Sequence, residues 1–187
     1  TFSSAPDYET KTSFTSTVTA TDGLNSSTQD ITIAVNNLND NSPVLTSVTD
    51  FTIDENTSAV GTISGSDADG DVLEYLINGT DADSLSIDSG SGVLSFNETT
   101  DYETKTSYFL NVVISDGVNS VTNAATISIN NLNDNSPIFS SAETFSLAEN
   151  ESSIGTASAT DADTGSSVSY SVDNSVTQKV EVSVAAN

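Results

Sequence analysis

Apolar and polar residues alternate in several short stretches of this chain. In each stretch the apolar positions are spaced by two, and most residues between them are Ser, Thr or Asn. This period places the apolar side chains on one face of an extended segment and is typical of a half-buried β-strand. The stretches are Ile31-Ile33-Val35, Leu110-Val112-Ile114, Phe145-Leu147 and Val180-Val182-Val184. Since no window keeps the i, i+3, i+4, i+7 spacing of an amphipathic helix, the pattern predicts an all-β protein.

The chain also contains an internal repeat. Two long stretches recur unchanged at a spacing of 94 residues, starting at 7 and 101 and at 36 and 130. Chance matches would scatter in spacing, whereas a common spacing indicates a repeated structural unit. One period has the length of an immunoglobulin-like sandwich of about seven short strands. The matching stretches are 7–13 with 101–107, 36–43 with 130–137, 55–56 with 149–150, and 67–69 with 161–163.

The period divides the chain into one complete domain and two partial ones. We predict the C-terminal half of a domain over residues 1–43, a complete domain over 44–137 and the N-terminal half of a third over 138–187. The predicted architecture is a tandem array of seven-strand Greek-key β-sandwiches. In the complete domain we predict strands near 51–53, 60–64, 72–77, 85–87, 93–96, 108–114 and 124–129.

The two partial domains allow two interpretations. Two periods of 94 amount to 188 residues, and the chain has 187. In one interpretation the chain is a fragment cut from a longer array, out of phase with its domains. In the other, residues 138–187 of one chain complete residues 1–43 of another and form a head-to-tail polymer. The alternating segment from Val180 to Val184 would then be the joining strand. Both interpretations stay open at this point.

Acidic residues dominate the charge of the chain. It carries 27 Asp and Glu against 3 Lys and Arg, a formal net charge of -24 at pH 7, and no Cys or His. This composition excludes thiolate and imidazole metal sites, disulfides and a Ser-His-Asp triad. Three basic residues do not suffice to bind a phosphate backbone, so we predict no nucleic-acid partner. We also find no apolar run that could span a membrane, and residues 1–20 lack a signal-peptide pattern, so any export signal would lie outside this chain.

The acidic residues lie in clusters that recur with the repeat. Acids at alternate positions, such as Asp67 and Asp69, lie on the same side of an extended segment. Carboxylates, side-chain amides and backbone carbonyls are the ligands that Ca²⁺ prefers, at about six to eight oxygens per ion. The clusters therefore predict calcium binding. Asp71 and the stretch Asp81-Ala82-Asp83 fit no repeated motif, and we interpret them as solvated acidic surface.

Five of the acidic motifs, taken together, resemble those of the cadherin repeat family in the divergent form found in bacterial surface proteins. They correspond, in the family's order, to its x-E-N, D-x-D, D-R-E, A-x-D and D-x-N-D-N motifs. Each motif alone is weak, but five in order, most of them repeated at one spacing, are specific. The resemblance covers the chain except roughly residues 175–187. The motifs are Asp54-Glu55-Asn56, Asp67-Ala68-Asp69, Asp101-Tyr102-Glu103, Ser115-Asp116-Gly117 and Asn131-Leu132-Asn133-Asp134-Asn135.

Two positions depart from the family pattern. The first linker position is Asn rather than Asp in both copies, at Asn37 and Asn131. In the resembled family the coordination does not depend on that side chain. Tyr102 replaces the Arg of D-R-E, which leaves both flanking carboxylates in place. Neither departure removes an expected ligand.

The resemblance implies calcium ions in the linkers between successive domains, held by residues of both neighbours. The junction before residue 138 would use the side chains of Glu55, Asp101, Glu103, Asn133, Asp134, Asp161 and Asp163 and the backbone carbonyls of Leu132 and Asn135. The junction before residue 44 would use the side chains of Asp7, Glu9, Asn39, Asp40, Asp67, Asp69 and Asp116 and the carbonyls of Leu38 and Asn41. Each junction lacks one family ligand, and Glu149 and Asp22, on the two half-domains, are of the missing types.

The function implied by the resemblance is structural. We expect an extracellular, cell-surface module whose calcium ions rigidify a stalk, adhesin or filament, with neighbouring repeats of the same or identical chains as partners. The alternative is a calcium-dependent carbohydrate-binding adhesin with surface glycans as partners, although the absence of Trp weakens it because sugars stack on aromatic rings. Active sites rarely repeat once per domain, so we predict no enzymatic activity.

Overall fold

Short β-strands make up the computed structural model, which describes residues 1–172. The segment from Val180 to Val184 lies outside the described residues. Within the described residues, helix is limited to one turn of 3-10 helix, Ala82–Ser84. The predicted all-β class is therefore confirmed. In chain order the strands are β1 (Ser13–Thr21), β2 (Ser26–Ala34), β3 (Val44–Leu45), β4 (Asp50–Asp54), β5 (Ala59–Thr62), β6 (Gly65–Ser66), β7 (Glu74–Asn78), β8 (Leu85–Ile87), β9 (Val93–Phe96), β10 (Ser107–Ser115), β11 (Ser120–Asn130), β12 (Ile138–Phe139) and β13 (Ala159–Thr160).

Seven observed strands coincide with those predicted for residues 44–137. They are β4, β5, β7, β8, β9, β10 and β11. The short strands β3 and β6 pair with each other and have no counterpart among the predicted ones. Strand β10 shows why alternation predicts strands, since Leu110, Val112 and Ile114 are 4%, 0% and 0% exposed. The residues between them point to the opposite face of the sheet.

The chain folds into two compact units. The first consists of Thr1–Thr52, Ser58–Glu98 and Ser107–Ser128, and the second of Ile53–Thr57, Thr99–Thr106 and Ile129–Asn187, described here to Val172. Both units therefore combine segments that are far apart in the sequence. The domain boundaries proposed from the repeat, after residues 43 and 137, stay predictions.

Two antiparallel sheets form the core of the first unit. One has the strand order β4-β11-β10-β7 and the other β5-β9-β8. Phe96 of β9 meets Tyr108 of β10 edge to face, with ring centroids 4.6 Å apart, so the sheets pack against each other. The hydroxyl of Tyr75 accepts a hydrogen bond from the backbone N–H of Gly65 at 3.1 Å, which satisfies the polar end of a buried ring. Each large apolar side chain buried between the sheets contributes about 1.5–3 kcal/mol.

One glycine in this core cannot be replaced without strain. Gly92, just before β9, has φ +71°, and a Cβ there would lie 2.1 Å from the backbone oxygen of Ile63. Its N–H donates to the backbone oxygen of Asp88 and closes the turn between β8 and β9. Both the left-handed backbone and the close approach require a residue without a side chain.

The hairpin of β1 and β2 is more exposed than its repeat equivalent, the hairpin of β10 and β11, which lies within a four-stranded sheet. Its strands pair from Ser13↔Ala34 to Thr21↔Ser26, and no other described strand joins them. Val18 and Ile33 are 50% and 38% exposed, whereas Val112 and Ile127, 94 residues later, are 0% exposed. A two-stranded hairpin is marginally stable by itself. The hairpin thus carries the sequence of a sheet core without its burial.

The second unit departs from the predicted strand pattern. Phe145 and Leu147 lie outside any strand and are 45% and 46% exposed, so the strand predicted there is wrong. Phe145 instead lies over Gly155, where a Cβ would come within 2.8 Å of the ring. The pair Phe51 and Gly61 of the first unit repeats this contact at 2.7 Å. The ring-on-glycine contact is thus common to both copies, whereas a strand is found at Phe51, in β4, and not at Phe145.

Candidate functional site

Within residues 1–172, carboxylates gather in three groups, two in the first unit and one in the second. In each group, one oxygen from every member lies within 4.8 Å of one from every other member. At about 4 Å, two like charges repel by about 1 kcal/mol in water and about 4 kcal/mol at an effective dielectric of 20. The groups are Glu9, Asp40 and Asp69; Asp67, Asp69 and Asp71; and Glu55, Glu103, Asp134 and Asp163.

Asp69 joins the two groups of the first unit. Its Oδ2 accepts the backbone N–H groups of Asp40 and Asn41 at 3.0 and 2.8 Å, and its Oδ1 accepts the Asn41 amide at 2.8 Å. Burial favours the neutral acid, but these hydrogen bonds favour the charged form more and hold the pKa of Asp69 below its usual value. The side-chain amide of Asn37 donates to the backbone oxygen of Asp69 at 2.7 Å. The linker 37–41 is thereby tied to the Asp67–Asp69 loop.

Glu9 titrates in the opposite direction. Its own backbone N–H stabilises the charged form, but desolvation and the neighbouring carboxylates of Asp69 and Asp7 outweigh this and raise the pKa of Glu9. Since Asp69 receives the hydrogen bonds, Glu9 is the member of the pair that takes up a proton first. A hydrogen bond between the two carboxyl groups contributes to both shifts, since it lowers the pKa of Asp69 and raises that of Glu9.

Asp67 and Asp71 carry oxygens without hydrogen-bond partners. Oδ1 of Asp67 accepts the N–H of Asp69 at 2.8 Å, but Oδ2 of Asp67 and Oδ2 of Asp71 are buried and accept nothing. Desolvation, followed by the charges of Asp67, Asp69 and Asp116, raises the pKa of Asp71. Leaving buried acceptors unpaired costs free energy unless another group satisfies them.

The tip of the β10–β11 turn supplies another set of polar contacts. Oδ1 of Asp116 accepts the N–H groups of Val118 and Asn119 at 2.7 and 2.6 Å. Burial opposes these bonds, yet they hold the pKa of Asp116 below its usual value. The Asn119 amide donates to the side-chain oxygen of Asn39 at 3.2 Å and to the backbone oxygen of Asn41 at 2.9 Å. The β10–β11 turn therefore also holds the linker, within the same unit.

Glu55 is the most buried acid of the chain's described part, with 1% of its surface exposed. Its Oε2 accepts the backbone N–H of Tyr102 and its Oε1 that of Leu132, both at 2.7 Å. These short bonds fix the carboxylate in the second unit. A charge buried this deeply is unfavourable unless an opposite charge lies near it. Its neighbours in the group are three further acids.

Asn135 organises the other carboxylates of the second unit. Its amide donates to Glu103, Asp134 and Asp163 at 3.2, 3.0 and 2.9 Å, and its N–H donates to Asp163 at 2.9 Å. The bonds from Asn135 lower the pKa of Asp163. Desolvation, then the charges of Glu55, Asp163 and Asp101, raises the pKa of Glu103. This unit thus repeats the pattern of the first, with one acid lowered and one raised.

The structure brings together a subset of the ligands expected from the sequence. Of the acids expected at the first junction, Glu9, Asp40, Asp67 and Asp69 lie in the acidic groups, and of those at the second, Glu55, Glu103, Asp134 and Asp163 do. Three expected ligands act in hydrogen bonds beside the groups. The backbone oxygen of Asn41 accepts the Asn119 amide, the N–H of Leu132 donates to Glu55, and Oδ1 of Asp161 accepts the N–H of Asp163 at 2.9 Å.

The other expected ligands are not gathered into these groups. Asp7, Asp22 and Asp101 accept hydrogen bonds from residues two or three positions later and cap their own turns. Bonds from Thr10 lower the pKa of Asp7, and bonds from Asn25 lower that of Asp22. Glu149 is exposed. The carbonyl of Leu38 accepts a hydrogen bond from the N–H of Asp40 at 3.1 Å. The roles predicted for this carbonyl and for the side chain of Asn133 as ligands stay predictions.

Two acids that we interpreted from the sequence as solvated surface are not simply solvated in the structure. Asp71 belongs to an acidic group, and Asp81 is 9% exposed and accepts the N–H of Phe109 at 2.8 Å. Sequence reasoning also missed the backbone at Asn56 and Asn150, which have φ +65° and +73°. Asn tolerates this left-handed conformation better than most residues, which explains why Asn follows Glu in both copies.

The chemistry of these groups fits a hard divalent cation. Every donor is an oxygen, several carboxylates converge, and buried oxygens of Asp67, Asp71 and Asn131 lack donors. Carboxylate-rich oxygen sets suit Ca²⁺. The chain has 3 basic residues against 27 acids, so its own side chains cannot neutralise the groups.

Known proteins resemble this chain in sequence and in fold. It is 36% identical over 159 residues to protocadherin Fat 4 of Mus musculus and 33% identical over 167 residues to cadherin EGF LAG seven-pass G-type receptor 1 of the same species, covering 78% and 82% of this chain. It spans 3% and 6% of those much longer relatives. No family model matches the chain.

The fold matches solved cadherin-domain structures. The protocadherin gammaB7 EC3-6 cis-dimer structure superposes with a TM-score of 0.72 at 23% identity, covering 85% of this chain and 46% of that one. At this identity the likeness concerns the fold alone. Within residues 1–172 we find no helix with the length and apolar character needed to cross a membrane.

Proposed function

Sequence and fold together support the cadherin-repeat family for this chain, and from that premise we propose that it is an extracellular, calcium-dependent structural and adhesion module. The relatives described above are cadherins, which supports an adhesion module. Calcium binding and the stalk are the proposed parts. The relatives named are mouse proteins, and the bacterial origin expected from the motifs stays a prediction.

The buried carboxylate of Glu55 carries the proposal. It is 1% exposed, is fixed by two short backbone bonds and has three acids around it. Backbone N–H groups satisfy hydrogen bonds but do not remove the repulsion between four carboxylates. A divalent cation held by Glu55, Glu103, Asp134 and Asp163 would offset that charge. Asn135 holds three of these carboxylates in place for it.

The first unit offers an equivalent site. Asp69, fixed by Asp40 and Asn41, would share a cation with Glu9 and Asp40 on one side and with Asp67 on the other. When bound, the ion would supply positive charge that favours the charged form of Glu9, against the desolvation and the neighbouring carboxylates that raise its pKa. Repetition at the 94-residue spacing argues for a structural role, since both copies place similar oxygens in similar surroundings.

Calcium would stabilise the folded chain by mass action. Binding to the folded state alone adds about 2.7 kcal/mol at a calcium concentration 100 times Kd. Extracellular calcium modules have Kd values of about 10⁻⁴ to 10⁻³ M. An external medium with millimolar calcium would therefore keep such sites filled. We propose on this basis that the protein acts outside the cell.

A thermal unfolding experiment tests calcium binding directly. We expect calcium to raise the Tm of the 187-residue chain over its value in EGTA by about 5–10 °C, the shift that about 2.7 kcal/mol gives in a chain of this size. The substitution Glu55→Gln should diminish that rise. Glu98→Gln, a change of the same chemistry at an exposed acid outside the groups, should not. An unchanged Tm in the parent chain, or an equal rise in Glu55→Gln, would contradict the proposal.

The rigid stalk is a further part of the proposed function. Neutralised linkers between successive repeats would hold their orientation, whereas repelling carboxylates would let it vary. Small-angle scattering should then show a larger, better-defined maximum dimension with calcium than with EGTA. Light scattering over a range of concentrations decides between a fragment and a head-to-tail polymer, because a monomer at all concentrations excludes the polymer.

A further inference from the structure

The acidic loop of the first unit carries a carboxylate that the other copy lacks. The spacing of 94 aligns Asp67 with Asp161 and Asp69 with Asp163, and it aligns Asp71 with Gly165. The two copies of the loop thus differ by one acid, two positions after the shared motif. The chain itself therefore supplies the comparison that defines the contribution of Asp71.

Asp71 is placed for ligation rather than for solvation. One of its oxygens lies within 4.8 Å of an oxygen of Asp67 and an oxygen of Asp69. Oδ2 of Asp71 and Oδ2 of Asp67 are both buried and accept no hydrogen bond. A third acid increases the repulsion between the carboxylates of the group. Its buried Oδ2 accepts no hydrogen bond that would stabilise the fold in return.

A purely structural loop acid in this unit behaves differently. Asp88, in the turn between β8 and β9, accepts the N–H groups of Gly90 and Ser91 at 3.2 and 2.7 Å and the hydroxyl of Ser91 at 2.7 Å. Its carboxylate is satisfied by the turn that it closes. Asp71 has no such bonds to its buried oxygen, so turn formation does not explain its presence.

We infer that Asp71 is a direct ligand of the cation held by Asp67 and Asp69, and that it makes the site of the first unit tighter than that of the second. The inference rests on the proposed function. Ligand charge count is one of the factors that set the affinity of calcium sites. The first unit would then fill at a lower calcium concentration than the second, where Gly165 contributes no oxygen from a side chain.

Calorimetric titration of the 187-residue chain with calcium tests the affinity. We expect two classes of site, and we expect Asp71→Asn to weaken the tighter class about tenfold, as a lost carboxylate ligand does within the range of ligand-tuned sites. Asp83→Asn removes the same charge from an acid outside the groups and should change neither class. Equal affinities in the Asp71→Asn and Asp83→Asn variants would overturn the inference.

Europium luminescence separates a ligand from a distant charge. Lifetimes in H₂O and D₂O count the water molecules bound to Eu³⁺ in calcium sites. If Asp71 ligates the ion, Asp71→Asn should add about one water at the tighter site, because water replaces a lost oxygen ligand. An unchanged count would show that Asp71 acts only through long-range charge and would overturn direct ligation.

Thermal unfolding in EGTA tests whether Asp71→Asn changes the stability of the fold itself, apart from calcium binding. Asp71→Asn should leave the calcium-free Tm unchanged or raise it, because it removes a repulsive charge without removing a hydrogen bond at Oδ2. A marked fall in that Tm would assign Asp71 to the fold and overturn the inference. If the unaltered chain binds no calcium at all, the proposed function fails and the inference fails with it. Calcium binding without an effect of Asp71→Asn overturns the inference alone.

Discussion

Asn41 donates two hydrogen bonds to the carboxylate of Asp69, one from its backbone N–H and one from its side-chain amide, each at 2.8 Å. The pair Asn135 and Asp163 repeats this arrangement at 2.9 Å for both bonds. The amide serves as a neutral donor where a basic side chain would compete with a cation. The Asn of the linker motif is thus a residue that positions a carboxylate.

Removing the Asn41 side chain should weaken this positioning. We expect Asn41→Ala to lower the calcium-free Tm by about 2–4 °C, since a chain of this size responds by that amount to the loss of one hydrogen bond. Calcium affinity of the first unit should fall as well. Differential scanning calorimetry and calcium titration measure both effects. An unchanged affinity would show that Asp69 is held by the backbone alone.

Glu103 gives the second unit a pH dependence with opposite signs in the two calcium states. Desolvation and the charges of Glu55, Asp163 and Asp101 raise its pKa above the ordinary 4.5. Without calcium, the folded chain binds this proton more readily than the unfolded chain, so stability should rise as pH falls through the raised pKa. With calcium, protonation removes a ligand, so affinity should fall over the same interval.

The variant Glu103→Gln separates this effect from the other carboxylates. It should remove the part of the stability gain in EGTA that comes from Glu103 as the pH falls through its raised pKa, while the parts from Glu9 and Asp71, whose pKa values are also raised, remain. The lowered pKa of Asp163 places its own titration below 3.8, outside this interval. Chemical denaturation in urea at a series of pH values measures the gain. A profile identical to that of the parent chain would exclude Glu103 as its source.

Two isoleucines at equivalent positions of the repeat differ in burial, so truncating them should lower the free energy of unfolding by different amounts. Ile127 is 0% exposed and its repeat equivalent Ile33 is 38% exposed. We expect Ile127→Ala to cost about 2–5 kcal/mol of unfolding free energy, as buried truncations do. Ile33→Ala should cost clearly less in the monomer. If urea denaturation at low concentration gives equal costs, the face of the β1–β2 hairpin is covered in solution.

Gly92 should tolerate no side chain. Gly92→Ala would place a Cβ 2.1 Å from the backbone oxygen of Ile63 in a left-handed conformation, φ +71°. We expect a loss of about 1–3 kcal/mol from the backbone strain, with a further loss from the clash. Gly117→Ala provides the control, because its φ of +91° carries strain while nothing lies within 4 Å of the added Cβ. Thermal unfolding of both variants separates the clash from the strain.

The periodic pattern predicted the strands wherever a sheet covers them. Alternation identified Leu110, Val112 and Ile114 because both neighbouring strands and a second sheet bury that face. It failed at Phe145 and Leu147, whose repeat equivalents Phe51 and Ile53 lie in β4 beside β11, because no described strand pairs with residues 145–147. Alternation reports which residues can face a core, and the tertiary contacts decide whether they do.

The repeated motifs predicted the centres of the acidic groups better than their edges. Glu55 and Asp69 occupy the positions expected from x-E-N and D-x-D. Asp7 and Asp101 lie outside the groups and cap local turns, a use that motif spacing does not reveal because a carboxylate can accept from nearby N–H groups. Their role as ligands stays a prediction. Asp71 was missed for the opposite reason. It occurs in one copy only, so comparison between copies hid it.

The two backbone bonds of Glu55 have a consequence for biosynthesis. They join Glu55 to Tyr102 and Leu132 across 47 and 77 residues of chain. A nascent polypeptide that has emerged only as far as Glu55 has none of these donors, and loop closure over such lengths waits until the later segments leave the ribosome. The carboxylate group of the second unit can therefore assemble only after Asp163 has emerged. An ion would bind to this group only after the segments that form it have folded together, and would not guide the early steps of folding.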